Sequence, residues 1–160
     1  MVCDKHGNKL GTATRDECHA GLGKTHLAFI AFLINQNNEI ILTRRSKTKT
    51  LWPGFWDAAI VSHILSGETV ESAAKRRGRE ELGVNVKFKN LGAFYYQVSQ
   101  GKNSENEYCH VLIGKTNDDI HPNPMEIDEV KSLSLKNLLK SVEMHPKDYT
   151  PWFLLSLTNI

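Results

Sequence analysis

One long helix set among strand-like segments is the feature that most constrains the fold of this chain. A helix is predicted over Thr69–Leu82, because it follows Ser66-Gly67 and ends at Gly83, a residue suited to a left-handed cap. Gly78 inside it costs about 1 kcal/mol relative to alanine, which predicts that another segment approaches closely there. One face mixes apolar and charged side chains, namely Val70, Ala73, Ala74, Arg77 and Glu81. Charged side chains are unusual on a helix face that only packs against a hydrophobic core.

Short β-rich segments surround this helix. Strands are predicted over His26–Asn35 and Glu39–Arg45, joined as a hairpin by the turn at residues 36–38. Val84–Val98 predicts one or two further strands, and the remaining predicted elements are strands at Glu105–Lys115 and Ile127–Leu133 and helices at Ser134–Val142 and Thr150–Leu157. The order predicts an α+β fold of one domain, residues 1–160, with a mixed β-sheet sandwiched by helices.

Composition excludes several classes of protein. The chain has 160 residues, 40% hydrophobic and 24% charged, which is typical of a globular domain with its own core. A net charge of +2 is too small to indicate nucleic-acid binding or binding to a membrane surface. The longest apolar run, Leu27–Ile34, is too short to cross a membrane, and the first 25 residues lack the apolar segment of a secretion signal. Three irregularly spaced cysteines favour a reducing cytoplasm over a disulfide framework.

The segment from Ser62 to Val84 resembles the Nudix signature GX5EX7REUXEEXGU, where U is aliphatic. The matching residues are Glu68, Arg76, Glu80, Glu81, Gly83 and Val84. Three positions depart from the pattern, because Ser62, Arg77 and Gly78 stand where it has glycine, glutamate and an aliphatic residue. In that pattern a helix aligns carboxylates so that a hard divalent cation can hold a diphosphate. The simpler alternative is a solvated helix with i,i+4 ion pairs from Arg76 and Arg77.

Histidines and glutamates elsewhere form a second candidate group. His19, His26 and His63 precede or begin predicted elements, and Glu105 and Glu107 share one face of a strand because they are two residues apart. Three imidazoles and two carboxylates would suit Mn²⁺, Zn²⁺ or a similar ion. Spacing alone leaves the alternative open that these histidines are ordinary surface or core residues.

Along nearly its whole length the chain resembles the type-1 isopentenyl diphosphate isomerases, which are Nudix-fold enzymes. The segments that carry the resemblance are HAGLGKTHLAF (His19–Phe29), RRSKTKTLWPGFW (Arg44–Trp56), SHILSGE (Ser62–Glu68), RRGREELGV (Arg76–Val84), FYY (Phe94–Tyr96), ENEYC (Glu105–Cys109) and TPWFL (Thr150–Leu154). The step of seven residues between the first two histidines, the WPGxW segment and the ExE strand are together specific to that family.

The resemblance implies roles for particular residues. It implies one divalent ion, Mn²⁺ or Zn²⁺, held by His19, His26, His63, Glu105 and Glu107, and a Mg²⁺ that links Glu81 to a small-molecule diphosphate substrate. It also implies that the diphosphate is held by Arg15, Arg45, Lys49 and Arg77, and that the indole of Trp152 lines the pocket and stabilises positive charge. Glu107 and Tyr96 are implied as the acid–base pair on one side of the substrate.

One departure bears directly on activity. The family carries a catalytic cysteine on the opposite side of the substrate, and Val61 occupies that position here. Valine transfers no proton, and losing a positioned acid–base group costs about 10²–10⁴ in rate. Ser62 is expected on the opposite face of its strand unless a bulge rotates it, and Cys109 on the same side as Glu107. Three functions remain open: an isomerase with weak turnover, a Nudix diphosphate hydrolase acting on a prenyl or nucleoside diphosphate, and a non-catalytic diphosphate-binding protein.

Overall fold

A computed structural model describes residues 1–159 and contains a nine-stranded sheet and four α-helices. The strands are β1 (Val2–Cys3), β2 (Lys9–Gly11), β3 (His26–Ile34), β4 (Ile40–Arg45), β5 (Trp56–Ala58), β6 (Ile60–His63), β7 (Phe88–Gln100), β8 (Asn103–Lys115) and β9 (Ile127–Leu133). The helices are α1 (Arg15–His19), α2 (Val70–Leu82), α3 (Leu135–Met144) and α4 (Pro151–Ser156), and two 3-10 turns cover Pro146–Asp148 and Leu157–Asn159. No helix within residues 1–159 is long and apolar enough to span a membrane.

Strand β3 organises the sheet. It runs parallel to β8 from the pair His26 and Glu107 to the pair Ile34 and Lys115, and antiparallel to β6 with Ala28 opposite His63. Eight of its nine residues are buried, because layers cover both faces of the sheet. This register brings His26, His63 and Glu107 to one end of three adjacent strands.

The sheet is mixed and lies between helices, as predicted. Helix α2 packs on one face through Ala73, Ala74 and Leu82. Helices α3 and α4 cover the other face, where Leu138, Trp152 and Phe153 are among the fully buried side chains. The fold is therefore a single α+β domain, as the sequence predicts.

The ends of α2 follow from its sequence. Thr69 is the N-cap rather than the first helical residue, and its side chain and that of Ser72 bond reciprocally to backbone N–H groups. Gly83 ends the helix with φ 73°, the left-handed conformation predicted for it. A Cβ at Gly78 would lie 3.3 Å from Ile60 Cδ1 and 3.4 Å from Val84 Cγ2, so the predicted close approach is confirmed.

Several predicted boundaries need correction. The segment Val84–Val98 contains one strand, β7, which starts only at Phe88 and extends to Gln100 because it pairs with β8 along its length. Strand β8 begins at Asn103, two residues before the predicted start. The hairpin of β3 and β4 is confirmed, with Leu33 opposite Ile41.

Candidate active site

A pocket of about 260 Å³ opens at the end of the sheet where β3, β6 and β8 meet. Most of the side chains singled out from the sequence line it: Arg15, His19, Arg45, Lys49, His63, Arg77, Tyr96, Glu105, Glu107 and Trp152. The remaining two lie beside it. His26 is buried against Glu107, and Glu81 lines a smaller adjoining cavity that shares Arg45, Lys49 and Glu126 with the pocket.

Three imidazoles converge at the inner wall of this pocket. His19 ends α1, His26 begins β3 and His63 ends β6, and their ring centroids are 4.7–5.2 Å apart. Nδ1 of His26 lies 2.8 Å from the Lys24 carbonyl oxygen, and Nδ1 of His19 lies 3.1 Å from that of Ser104. Because carbonyls only accept hydrogen bonds, each Nδ1 carries a proton. In the neutral imidazole, Nε2 then has a free lone pair, as in metal-binding histidines.

The donor set fits a divalent ion. Ligand atoms of His19, His26, His63 and Glu105 all lie within 4.8 Å of one another. Within residues 1–159, His19 Nε2, His26 Nε2 and Glu105 Oε2 are buried without a hydrogen-bond partner. Buried polar atoms are rarely left in this state, and a bound cation would satisfy all three.

Glu107 adjoins this group and joins it to Tyr96. Its Oε1 lies 3.3 Å from His26 Nε2 and 3.5 Å from His63 Nε2, while its Oε2 accepts a 2.5 Å hydrogen bond from the Tyr96 hydroxyl. Burial favours protonation of Glu107, but the two neighbouring imidazoles outweigh burial and hold its pKa below the usual range. Burial and the Glu107 charge raise the pKa of Tyr96 well above its ordinary value, so the phenol stays neutral and donates.

Protonation differs among the histidines. Burial disfavours the charged forms of His19 and His26, but the neighbouring carboxylates outweigh burial and raise the pKa of both. Burial lowers the pKa of His63 to about 4, so that imidazole is neutral at neutral pH. Neutral imidazole is the form that binds metals.

The charged face of α2 forms a dense set of ion pairs. Arg76 contacts Glu68 at 2.5 Å and Glu80 at 3.3 Å, and Arg77 contacts Glu81 at 2.5 Å. The i,i+4 pairs expected for a solvated helix are therefore present, yet Glu81 is buried within the site. Burial raises the pKa of Glu81 to about 7 in spite of the Arg77 charge, so a cation beside it would favour its ionised form.

The four basic residues implied for diphosphate binding differ in whether their side chains already have hydrogen-bond or ion-pair partners. Arg15 is exposed at the start of α1 and, within residues 1–159, forms no side-chain hydrogen bond or ion pair. Arg45 donates to the Leu51 and Trp52 carbonyls and lies 3.6 Å from Asp57. Lys49 is bonded to Glu126, and Arg77 to three carboxylates. Three of the four cations thus already face a carboxylate.

Two acidic residues of the site, Asp57 and Glu126, were missed by the sequence analysis. Asp57 is buried in β5, where Oδ2 accepts a 2.8 Å hydrogen bond from Trp152 Nε1. Glu126 precedes β9 and contacts Lys49 and Arg77. Neither belongs to a spaced motif, and Trp152, Lys49 and Arg77 are 49 to 95 residues away from them in sequence. Their contacts form only when distant segments of the chain pack together, so no sequence pattern reveals these two residues.

Val61, which the sequence resemblance implies stands in place of the family's cysteine, lines the pocket. Strand β6 pairs with β3 in unbroken register, with Val61 opposite Ile30 and Ser62 opposite Phe29. The bulge that would have turned Ser62 inward is therefore not formed. Val61 packs with the cluster that contains Tyr96 and Trp152, while Ser62 borders the pocket from the α2 side of the sheet. Cys109 is buried in the same cluster as Tyr96, as predicted from its spacing to Glu107.

Comparison with known proteins identifies the family. The family model for the NUDIX domain matches residues 24–153. The chain is 33% identical to an isopentenyl-diphosphate Delta-isomerase of Halorhodospira halophila over 156 residues, which cover 96% of this chain and 89% of that protein. It is 31% identical to isopentenyl-diphosphate Delta-isomerase 1 of Photorhabdus laumondii, with the same coverage of both chains.

Solved structures agree on the fold. A protein from Deinococcus radiodurans superposes with a TM-score of 0.70 at 22% identity, covering 93% of this chain and 98% of that one. A MutT NUDIX hydrolase from Burkholderia pseudomallei superposes with a TM-score of 0.68 at 18% identity, covering 86% and 98%. The α+β architecture, the domain match and the full-length relatives agree: this chain belongs to the Nudix family, within the group related to isopentenyl-diphosphate Delta-isomerases.

Proposed function

We propose that this chain is a divalent-metal-dependent enzyme of the isopentenyl diphosphate isomerase type. It acts on small isoprenyl diphosphates, isopentenyl and dimethylallyl diphosphate, with weak isomerase turnover. The observation that carries the proposal is the hydrogen bond between Tyr96 and Glu107 at the wall of a pocket that also holds the histidine group. A proton-transfer pair, metal ligands and cations for a diphosphate therefore face one cavity.

The Tyr96–Glu107 pair is suited to moving a proton at an alkene. Isomerisation adds a proton to the terminal carbon of the double bond and removes one from the carbon next to the diphosphate-bearing carbon. The pair holds one proton, on the Tyr96 phenol, because Glu107 is ionised; it can deliver that proton to one side of the substrate and then takes up another from water. Trp152 lies against Tyr96, with ring centroids 6.1 Å apart, where its face stabilises the positive charge that develops.

The second proton transfer lacks a suitable side chain at position 61. Val61 cannot transfer the proton on the opposite side of the substrate, and the Ser62 side chain is directed toward α2, so a water molecule has to carry that proton. Water is not activated in the way that a thiolate is. Turnover about 10²–10⁴ below that of an enzyme with both groups follows from this loss.

Two sets of residues would hold metal ions. His19, His26, His63, Glu105 and Glu107 suit Mn²⁺ or Zn²⁺, and Glu81 suits Mg²⁺ bound together with the diphosphate. The ions supply positive charge that neutralises the carboxylates and the diphosphate. The residues themselves fix the carboxylates in place and exclude water from the inner wall, where His26, Glu105 and Glu107 are buried.

Calorimetry and phosphorus NMR test the proposal. The metal-loaded protein should bind isopentenyl diphosphate in Mg²⁺, and phosphorus NMR should show that its diphosphate stays intact. Absence of binding to both isopentenyl and dimethylallyl diphosphate would refute the proposal. Binding without any turnover would reduce the protein to a diphosphate-binding protein.

Diphosphate hydrolysis is the second candidate. The adjacent carboxylates Glu80 and Glu81 on α2 match the Nudix pattern and favour it. Arg77 disfavours it, because its guanidinium stands at a carboxylate position of that pattern and lies 2.5 Å from Glu81. Release of inorganic phosphate or a monophosphate, with the double bond unmoved, would establish hydrolysis.

A further inference from the structure

Glu126 forms ion pairs with Lys49 and Arg77, two of the basic side chains implied for diphosphate binding. Its Oε2 is bonded to Lys49 Nζ, and its Oε1 lies 3.2 Å from Arg77 Nη2. All three side chains line the pocket. A diphosphate that enters between Lys49 and Arg77 must therefore break two ion pairs.

The position of Glu126 is fixed by its backbone. Its N–H donates to the Asn123 carbonyl at 2.9 Å, and its carbonyl accepts from Ser46 N–H at 3.0 Å. Asn123 N–H in turn donates to the Glu81 carbonyl at 2.8 Å. The turn before β9 is thus bound both to the end of α2 and to the loop that carries Lys49, so the carboxylate is held between them.

Charge around this carboxylate disfavours a free anion. Arg77 Nη2 lies 2.5 Å from Glu81 Oε1 as well as 3.2 Å from Glu126 Oε1, so two carboxylates face the same guanidinium nitrogen. Arg77 Nη1 contacts a third, Glu80, at 2.8 Å. A free diphosphate placed there would meet these carboxylates as well as the cations, and like charges in a partly buried site repel strongly.

We propose that Glu126 is a specificity-determining residue that competes with free diphosphate for Lys49 and Arg77, so that the site selects diphosphates that carry a divalent cation. A metal-bound diphosphate has less negative charge to place near the carboxylates. Its cation can also interact with Glu81 and Glu126 once the ion pairs open. The inference rests on the proposed function, because it assumes that this pocket takes a diphosphate.

Calorimetric titration with inorganic pyrophosphate tests the inference without relying on catalysis. Wild type, Glu126→Gln and Glu126→Ala are titrated in EDTA and again in excess Mg²⁺. The matched control is Glu129→Gln, because Glu129 on β9 pairs with Arg44 on β4 and does not line the pocket. Glu126 is only partly buried, and the melting temperature of each variant verifies its fold.

Both Glu126 variants should bind free pyrophosphate at least about tenfold more tightly than wild type, since one lost charge-assisted contact corresponds to a tenfold change or more. The preference for pyrophosphate in Mg²⁺ over pyrophosphate in EDTA should fall by the same factor or more, and the Glu129 variant should behave as wild type. Unchanged or weaker binding of free pyrophosphate by both variants would overturn the inference alone. Failure of wild type to bind pyrophosphate even in Mg²⁺ would overturn the proposed function as well.

Discussion

The Tyr96 hydroxyl donates a 2.5 Å hydrogen bond to Glu107 Oε2, and both groups are buried at the inner wall of the pocket. The partners are 11 residues apart on neighbouring strands, where β7 and β8 pair Tyr96 directly with Glu107. Cross-strand register therefore creates the proposed proton-transfer pair, and it places the pair next to His26, which β3 pairs with the same glutamate. The proposed isomerase activity depends on that arrangement.

Replacing Glu107 tests the pair directly. Glu107→Gln should lower turnover by at least about 10²-fold, because an amide is a poor proton carrier and a weaker metal ligand. Turnover is measured with isopentenyl diphosphate and bound metal by elemental analysis. Glu143→Gln, at an exposed position on α3, is the control. Wild-type turnover in the Glu107 variant would remove this residue from the mechanism.

Restoring a thiol tests the geometry of the opposite side. Val61→Cys should raise isomerase turnover by about tenfold or more, because it supplies the missing acid–base group. Ser62→Cys is the matched control, since the unbroken register of β6 directs that side chain toward α2. A gain in the Ser62 variant, or none in a folded and metal-loaded Val61 variant, would contradict the placement of the substrate.

Metal binding should depend on the histidine group. His26→Asn should weaken Mn²⁺ or Zn²⁺ binding by at least about tenfold, because His26 Nε2 is one of the buried atoms without a hydrogen-bond partner in residues 1–159. The rise in melting temperature on adding metal should shrink accordingly. His6→Asn, at an exposed position, should leave both quantities unchanged. Equal metal affinity in the two variants would exclude His26 as a ligand.

Asp57 should make stability depend on pH. Burial raises its pKa from 3.8 to about 6, although Arg45 and the Trp152 N–H act in the opposite direction. Because the folded state binds this proton more tightly, its stabilising effect is complete below pH 4 and is lost as the pH rises toward 6. Two pKa units correspond to about 3 kcal/mol at most.

The measurement is the free energy of unfolding in denaturant from pH 4 to pH 7, with EDTA present. Relative to Asp57→Asn, wild type should lose stability over that range by an amount of this order. Parallel pH profiles for the two proteins would show that Asp57 titrates in the folded state as it does in the unfolded chain.

The predicted fold was correct where local sequence patterns decide it. Helix α2 has cap residues at both ends, and β3 and β4 form an uninterrupted hairpin, so those elements were predicted within one or two residues. The start of β7 at Phe88 was not, because its pairing with β8 determines where the strand begins. The three-residue strand β5 and the five-residue helix α1 are too short for periodicity to reveal.

The site residues also divide into those that sequence spacing predicts and those that depend on contacts between distant segments. Residues of spaced motifs, such as Glu105 and Glu107, share a face for reasons visible in the sequence. Asp57 and Glu126 act through partners on remote segments, Trp152 and Lys49, and a single acidic residue carries no spacing to interpret. The sequence also suggested four available cations, whereas in the structure Arg45, Lys49 and Arg77 already face carboxylates.

Proton and phosphorus NMR of the metal-loaded protein with isopentenyl diphosphate in D₂O and Mg²⁺ test the central claim most directly. We expect slow formation of dimethylallyl diphosphate that carries deuterium in its new methyl group, with the diphosphate intact. Phosphate release with no deuterium incorporation, from protein that binds the substrate, would contradict isomerisation and establish a hydrolase in its place.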